Sequence, residues 1–315
     1  MRLDPRPALF ALALSAAALA LGTPIAAPAQ PQSEASFETL ASFRLPQATK
    51  AARALAIQLP EGAAVLNLPE ARPGQPLPAV LILPDALGAD GRADAYVEQL
   101  LGADIAVLEL RGTHEADARL AWRALLEDPR FDPAKLGILG FGAGARLALD
   151  LPGSQASVLL YPGCAGLPRA RRLTHAWIWA RQLAWKLYPD IRNFIGPAEY
   201  AWGFHAPWRL FASSTPPHGT SILLAHGTAD PANAASACAS LAETLRGQGA
   251  LVEHRQVPGA GYAWDYPQLG AAADVLLPAP GSAERLAVRP WPALAAQTAA
   301  EVAGFFAQHF SEPKP

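Results

Sequence analysis

The chain has 315 residues, 51% of them hydrophobic and 17% charged, with a formal net charge of −2. So large an apolar fraction excludes a disordered chain and suits one large core. The lack of a basic surplus excludes binding that works by neutralising phosphates, so the expected partner is a small molecule and not nucleic acid.

At the N-terminus Arg2 and Arg6 precede an apolar run over 8–21, followed by Pro24, Pro28 and the small triplet Ala27-Pro28-Ala29. This is the pattern of a signal peptide cleaved after Ala29, and the run is short for a bilayer span. The expected organisation is therefore a leader over 1–29, removed on export to the periplasm or beyond, and a single domain over 30–315. Asp4 is unusual in the positive region of a leader, which keeps an uncleaved anchor or a non-signal segment as the alternatives.

From residue 54 onward, short apolar runs bounded by Pro or Gly alternate with longer helical patterns. Strands are expected over 54–59, 63–68, 79–84, 105–111, 136–141, 156–162, 221–227 and 251–257, the first two joined by the turn Pro60-Glu61-Gly62. Helices are expected over 92–101, 116–127, 143–150, 232–248 and 292–309, several with apolar residues at three-to-four spacing. The alternation predicts an α/β fold with a mostly parallel eight-stranded sheet flanked by helices. The only cysteines, Cys164 and Cys238, follow neighbouring predicted strands; in an exported chain they are expected to form a disulfide, the alternative being two buried thiols.

One connection breaks the rhythm. Residues 163–220, between the sixth and seventh strands, hold Trp177, Trp179, Trp185, Trp202 and Trp208, five of the eight tryptophans. A connection of this length is expected to be a lid or cap. Its mixture of Trp and Arg also fits a membrane-surface or protein-interaction segment, the less favoured reading.

The stretch LGILGFGAGARLAL, 136–149, reads as a buried strand, a sharp glycine-rich turn and a helix. That arrangement presents a nucleophile at the top of a sheet in a large class of hydrolases. With LLAHGTADPANAASAC, VPGAGYAWD and the closing LAAQTAAEVAGFFAQHF in the same order and spacing, the chain resembles the α/β-hydrolase fold and, within it, the dienelactone hydrolase-like family. The resemblance implies hydrolysis of a small ester or lactone by a nucleophile, an acid and a histidine. Carried over residue by residue, the nucleophile position is Gly142, the acid is Asp230 and the histidine position is Tyr262. Only the acid is retained.

Gly142 offers no attacking atom, and a tyrosine hydroxyl is a poor proton acceptor near neutral pH. Losing nucleophile and base together costs about a million-fold in turnover in a serine hydrolase. The oxyanion-type backbone donors would be Ala143 and, after the third strand, Ala86 or Leu87; the neighbouring Asp85 stands where many relatives carry His-Gly, and a carboxylate there opposes a developing oxyanion. Phe141 and Trp264, with Leu87, Ala143 and Tyr262, are expected to line the pocket. His226, four residues before Asp230, is read as structural, and Asp265 as an ordinary loop carboxylate. No paired histidines at metal-ligand spacing and no phosphate loop are present in the sequence, so neither metal nor cofactor is expected. The leading expectation is a catalytically degenerate relative that binds a small ester, lactone or carboxylate or serves a structural role. An active ester or lactone hydrolase with a relocated nucleophile, or with water activated by Asp230, is the alternative.

Overall fold

The computed structural model describes residues 54–70, 75–164, 219–267, 275–280 and 285–311. The expected leader and the expected cap beyond Cys164 lie outside the described residues.

Eight strands form one sheet: β1 (Ala54–Gln58), β2 (Ala63–Asn67), β3 (Leu77–Leu83), β4 (Ala106–Leu110), β5 (Phe131–Phe141), β6 (Ala156–Leu160), β7 (Ser221–Gly227) and β8 (Leu251–Val257). Their spatial order is β1-β2-β4-β3-β5-β6-β7-β8. β1 and β2 pair antiparallel, as do β2 and β4, and every pairing from β4 through β8 is parallel. β4, β6 and β7 are buried along their whole length, as expected of strands covered on both faces, and this is why they read as continuous apolar runs. β8 closes the sheet and is partly exposed throughout.

Five helices follow among the described residues: α1 (Ala93–Gly102), α2 (Glu115–Glu127), α3 (Ala143–Ala148), α4 (Ala235–Gly247) and α5 (Pro292–Ser311). One core layer joins Tyr96 and Leu100 of α1 to Val302, Phe306 and Phe310 of α5 over Val80, Ile82, Leu139 and Val158 of the sheet. α3 packs so closely on β5 that a Cβ at Gly140 would stand 2.3 Å from the Ala145 Cα, which explains the glycine there. Cys164 and Cys238 form a disulfide that ties the residues after β6 to α4.

β5 starts at Phe131, five residues earlier than its apolar run suggests. Leu77 pairs with Phe131 and Ala79 with Leu136, and the register shift between them absorbs Asp132-Pro133-Ala134-Lys135 as a bulge. A second, two-stranded pairing of β9 (Leu276–Pro278) with β10 (Arg285–Ala287) has no counterpart among the expected elements. No helix among the described residues is long and apolar enough to cross a membrane.

Candidate functional site

The C-terminal ends of β3, β5, β6 and β7 bring the relevant loops together. β5 runs into α3 through Gly142, whose φ of 49° and ψ of −110° are angles that strain any residue with a side chain. The Gly142 N–H is held by the Leu160 carbonyl at 2.9 Å, which fixes the turn against β6. A Cβ on Gly142 would lie 2.3 Å from Asp85 Oδ1 and 2.4 Å from the Tyr262 hydroxyl. The volume that a nucleophile's side chain would need is therefore filled by two other residues.

Asp85, from the loop after β3, turns inward and is only 4% exposed. Its Oδ1 accepts the backbone N–H of Ala143 at 3.0 Å and of Ala86 at 2.7 Å. The sequence reading expects Ala143 and either Ala86 or Leu87 as oxyanion-type donors, and Asp85 takes the N–H groups of Ala143 and Ala86. Its Oδ2 accepts the Tyr262 hydroxyl at 2.5 Å and Arg92 Nη2 at 3.1 Å. Four donors converge on one buried carboxylate, two from the backbone and two from side chains, so both of its oxygens are fully employed.

Around this point runs a buried polar cluster. Arg92 donates from Nε and Nη2 to Asp90 and from Nη1 to the Tyr161 hydroxyl. The Tyr161 and Tyr96 hydroxyls donate to the two oxygens of Asp265, at 2.7 and 2.6 Å. The rings of Tyr161, Tyr262, Trp264, Phe141 and Tyr96 pack mostly edge to face around it. Burial, reinforced by Asp85, pushes the Tyr262 hydroxyl well above its ordinary pKa, which keeps it a proton donor. Burial likewise raises the pKa of the Asp265 carboxyl, against the lowering by Arg92 and the two tyrosines. Tyr161 and Ala263 hold positive φ, 40° and 51°, a cost that the packing at the strand ends supports.

Asp230 has hydrogen-bond partners of its own. Its Oδ1 accepts the Ala232 N–H at 2.9 Å and its Oδ2 accepts Asn233 Nδ2 at 2.8 Å. Asn233 Oδ1 in turn accepts the backbone N–H groups of Gly163 and Cys164. Asp230 thus orients an amide that pins the disulfide loop. Burial pushes its pKa up to about 6, against the lowering by Asn233 and the backbone.

Of the sequence-derived site residues, Gly142, Ala143, Ala86 and Tyr262 converge on Asp85, while Phe141 and Trp264 pack into the core beside them. Leu87 is 67% exposed, so its side chain lines no buried pocket. Asp265, read as a loop carboxylate, is instead buried and doubly bonded by tyrosines, because Tyr96 and Tyr161 arrive from α1 and the end of β6. Sequence reasoning did not find Arg92, Asp90 or Asn233. The run Asp85-Ala-Leu-Gly-Ala-Asp90-Gly-Arg92 after a buried strand is the one local signal, since polar residues there face the sheet edge that carries sites. His226 Nδ1 faces the Gly227 carbonyl at 3.2 Å, and its Nε2 lies 3.0 Å from His254 Nε2 on β8, so it joins two strands away from the elbow. Among the described residues, no group of three or more His, Cys, Asp or Glu side chains is placed to hold a metal ion.

No protein-family model and no curated protein matches the chain. Solved structures do. A dienelactone hydrolase-like promiscuous phosphotriesterase from metagenomic libraries superposes with a TM-score of 0.51 at 15% identity, over 81% of this chain and 97% of its own. A thermophilic, thermostable carboxylesterase cloned from a metagenomic library gives 0.52 at 15% identity, over 85% and 92%. An esterase of Pyrobaculum calidifontis gives 0.50 at 15% identity, over 81% and 84%. The sheet order, the strand–turn–helix at Gly142 and these likenesses together give the chain an α/β-hydrolase fold.

Proposed function

We propose that this is an exported α/β-hydrolase-fold protein that performs no ester hydrolysis at its elbow and acts as a structural relative of the esterases and dienelactone hydrolase-like proteins whose fold it shares. One observation carries the reading. The seat for a developing oxyanion, the N–H groups of Ala143 and Ala86, is already taken by the carboxylate of Asp85. A second anion in that seat would have to displace the first, and two carboxylate-like charges at one site repel. The missing side chain at Gly142 and the protonated hydroxyl of Tyr262 support the same conclusion, since neither attacks nor accepts a proton. A small ester, lactone or carboxylate ligand at this place competes directly with Asp85, so a binding role here is weaker than the structural one. The disulfide between Cys164 and Cys238 supports export, because such bonds persist in oxidising compartments.

Asp230 favours the competing reading of a water-activating base, because a carboxyl whose pKa is raised to about 6 is better matched to proton transfer near neutral pH. Both of its oxygens are nevertheless engaged by Ala232 and Asn233. Treatment of the purified protein with an alkyl fluorophosphonate, followed by peptide mapping, tests the proposal. No adduct is expected on any residue near the elbow; a stoichiometric adduct there would reveal a working nucleophile.

A further inference from the structure

A second opening lies apart from the elbow. Between the C-terminal ends of β6, β7 and β8 and the first turns of α5 is a cavity of about 150 Å³. Two lining residues link it to the elbow: the Leu160 carbonyl accepts the Gly142 N–H at 2.9 Å, and the Trp264 ring packs edge-on to Tyr161. The inner wall is apolar and buried, formed by Leu160, Leu223, Val302 and Trp264. The indole N–H of Trp264 is already given to Thr298 Oγ1 at 3.2 Å, so the surface it offers the cavity is carbon. Buried Thr298 spends its hydroxyl on Trp264 and the Leu294 carbonyl, and the exposed polar groups stand at the mouth, where Arg255 is ion-paired with Glu253 and Glu301, and Gln297 donates to Glu301 at 2.9 Å.

Size and chemistry select the occupant. A volume of about 150 Å³ accommodates a benzene-sized ring, and a ring laid on the apolar inner wall restores packing contacts that the wall lacks. Of the lining residues Arg255 and Glu301 pair one to one, and Glu253, outside the lining, is a second carboxylate on Arg255, so the rim carries one net negative charge. An anionic ligand would meet that surplus at a desolvation cost with no counter-charge to offset it. A hydroxyl at the ring's outer edge fits, since the Glu301 carboxylate and the Gln297 amide are acceptors at the opening. We propose that this cavity is a binding site for a neutral, single-ring aromatic alcohol, that is, a simple phenol. The proposal is independent of the fate of the elbow.

A titration of the full chain with 4-fluorophenol, followed by ¹⁹F NMR and by the amide and indole spectrum of the protein, tests it. The expected result is saturable binding, with nuclear Overhauser contacts from the ring to the Leu223 and Val302 methyls and to the Trp264 indole. 4-Fluorobenzoate should bind at least about tenfold more weakly. Ala225→Phe, which fills the cavity from its wall, and Leu294→Trp, which fills it from the rim and leaves the buried strands alone, should each abolish binding. Absence of saturable binding, equal affinity for benzoate, or phenol binding that survives Leu294→Trp would overturn the assignment.

Discussion

Replacing Gly142 by serine, the change that would nominally restore a nucleophile, should unsettle the protein instead of activating it. The new Cβ would stand 2.3 Å from Asp85 Oδ1 and 2.4 Å from the Tyr262 hydroxyl, so both must retreat by well over half an ångström. That retreat breaks the contacts of Oδ1 with the Ala143 and Ala86 N–H groups, each a hydrogen bond to a charged acceptor worth about 1.5–3 kcal/mol. The backbone angles at Gly142 add about 1–3 kcal/mol of strain for any residue with a side chain. A loss of about 4–9 kcal/mol follows, large against the stability of an ordinary domain. Asp85→Ala alone should cost about 3–5 kcal/mol, because it leaves buried donors and part of Arg92 without their partner. Combined, the two changes should cost less than their sum by about 2 kcal/mol, since the serine then enters vacated space. Urea unfolding of the four proteins in the cycle measures this coupling. Additivity within about 0.5 kcal/mol, or a Gly142→Ser loss below about 1 kcal/mol, would refute the reasoning.

Other residues yield separate expectations. Tyr262→Phe deletes one donor to Asp85 Oδ2 and keeps the ring, so a loss of about 1.5–3 kcal/mol in urea unfolding is expected, with little change in the near-ultraviolet signal of the packed aromatics. For Asp230 the folded pKa, about 6, lies above the ordinary 3.8, so the folded state binds this proton more tightly than the unfolded chain. Its contribution is full below about pH 4 and is lost as pH rises through about 6, a fall of about 3 kcal/mol at most. Asp230→Asn should flatten that part of the stability–pH curve; an unchanged slope would assign it to another group. Replacing both Cys164 and Cys238 by serine opens a loop spanning a 74-residue separation and should cost about 4 kcal/mol, read as a lowered urea midpoint under oxidising conditions.

The layout of the sheet was legible because each parallel strand, buried on both faces, leaves a continuous apolar run between turn residues, and helices leave a longer period. β5 was underestimated for the opposite reason, since Asp132, Pro133 and Lys135 look like a loop and only the pairing of Leu77 with Phe131 shows that a strand precedes them. At the site, Gly142 and Tyr262, singled out by the glycine signatures of their loops, do meet at Asp85, whereas Asp230 bonds elsewhere. What those positions do could not be read the same way. The inward turn of Asp85 depends on Arg92, seven residues on, and on Tyr262, 177 residues on, and the burial of Asp265 depends on tyrosines 104 and 169 residues away. Such meetings are set by strand order, which no short stretch of sequence contains.

Hydrolysis of 4-nitrophenyl acetate by the purified, folded protein tests the central claim most directly. With Asp85 seated on the Ala143 and Ala86 N–H groups and no heteroatom at Gly142, release of nitrophenolate should match that of the heat-denatured protein at equal concentration. Saturable turnover that vanishes on Asp85→Asn or Asp230→Asn would contradict the claim and make this centre a working hydrolase.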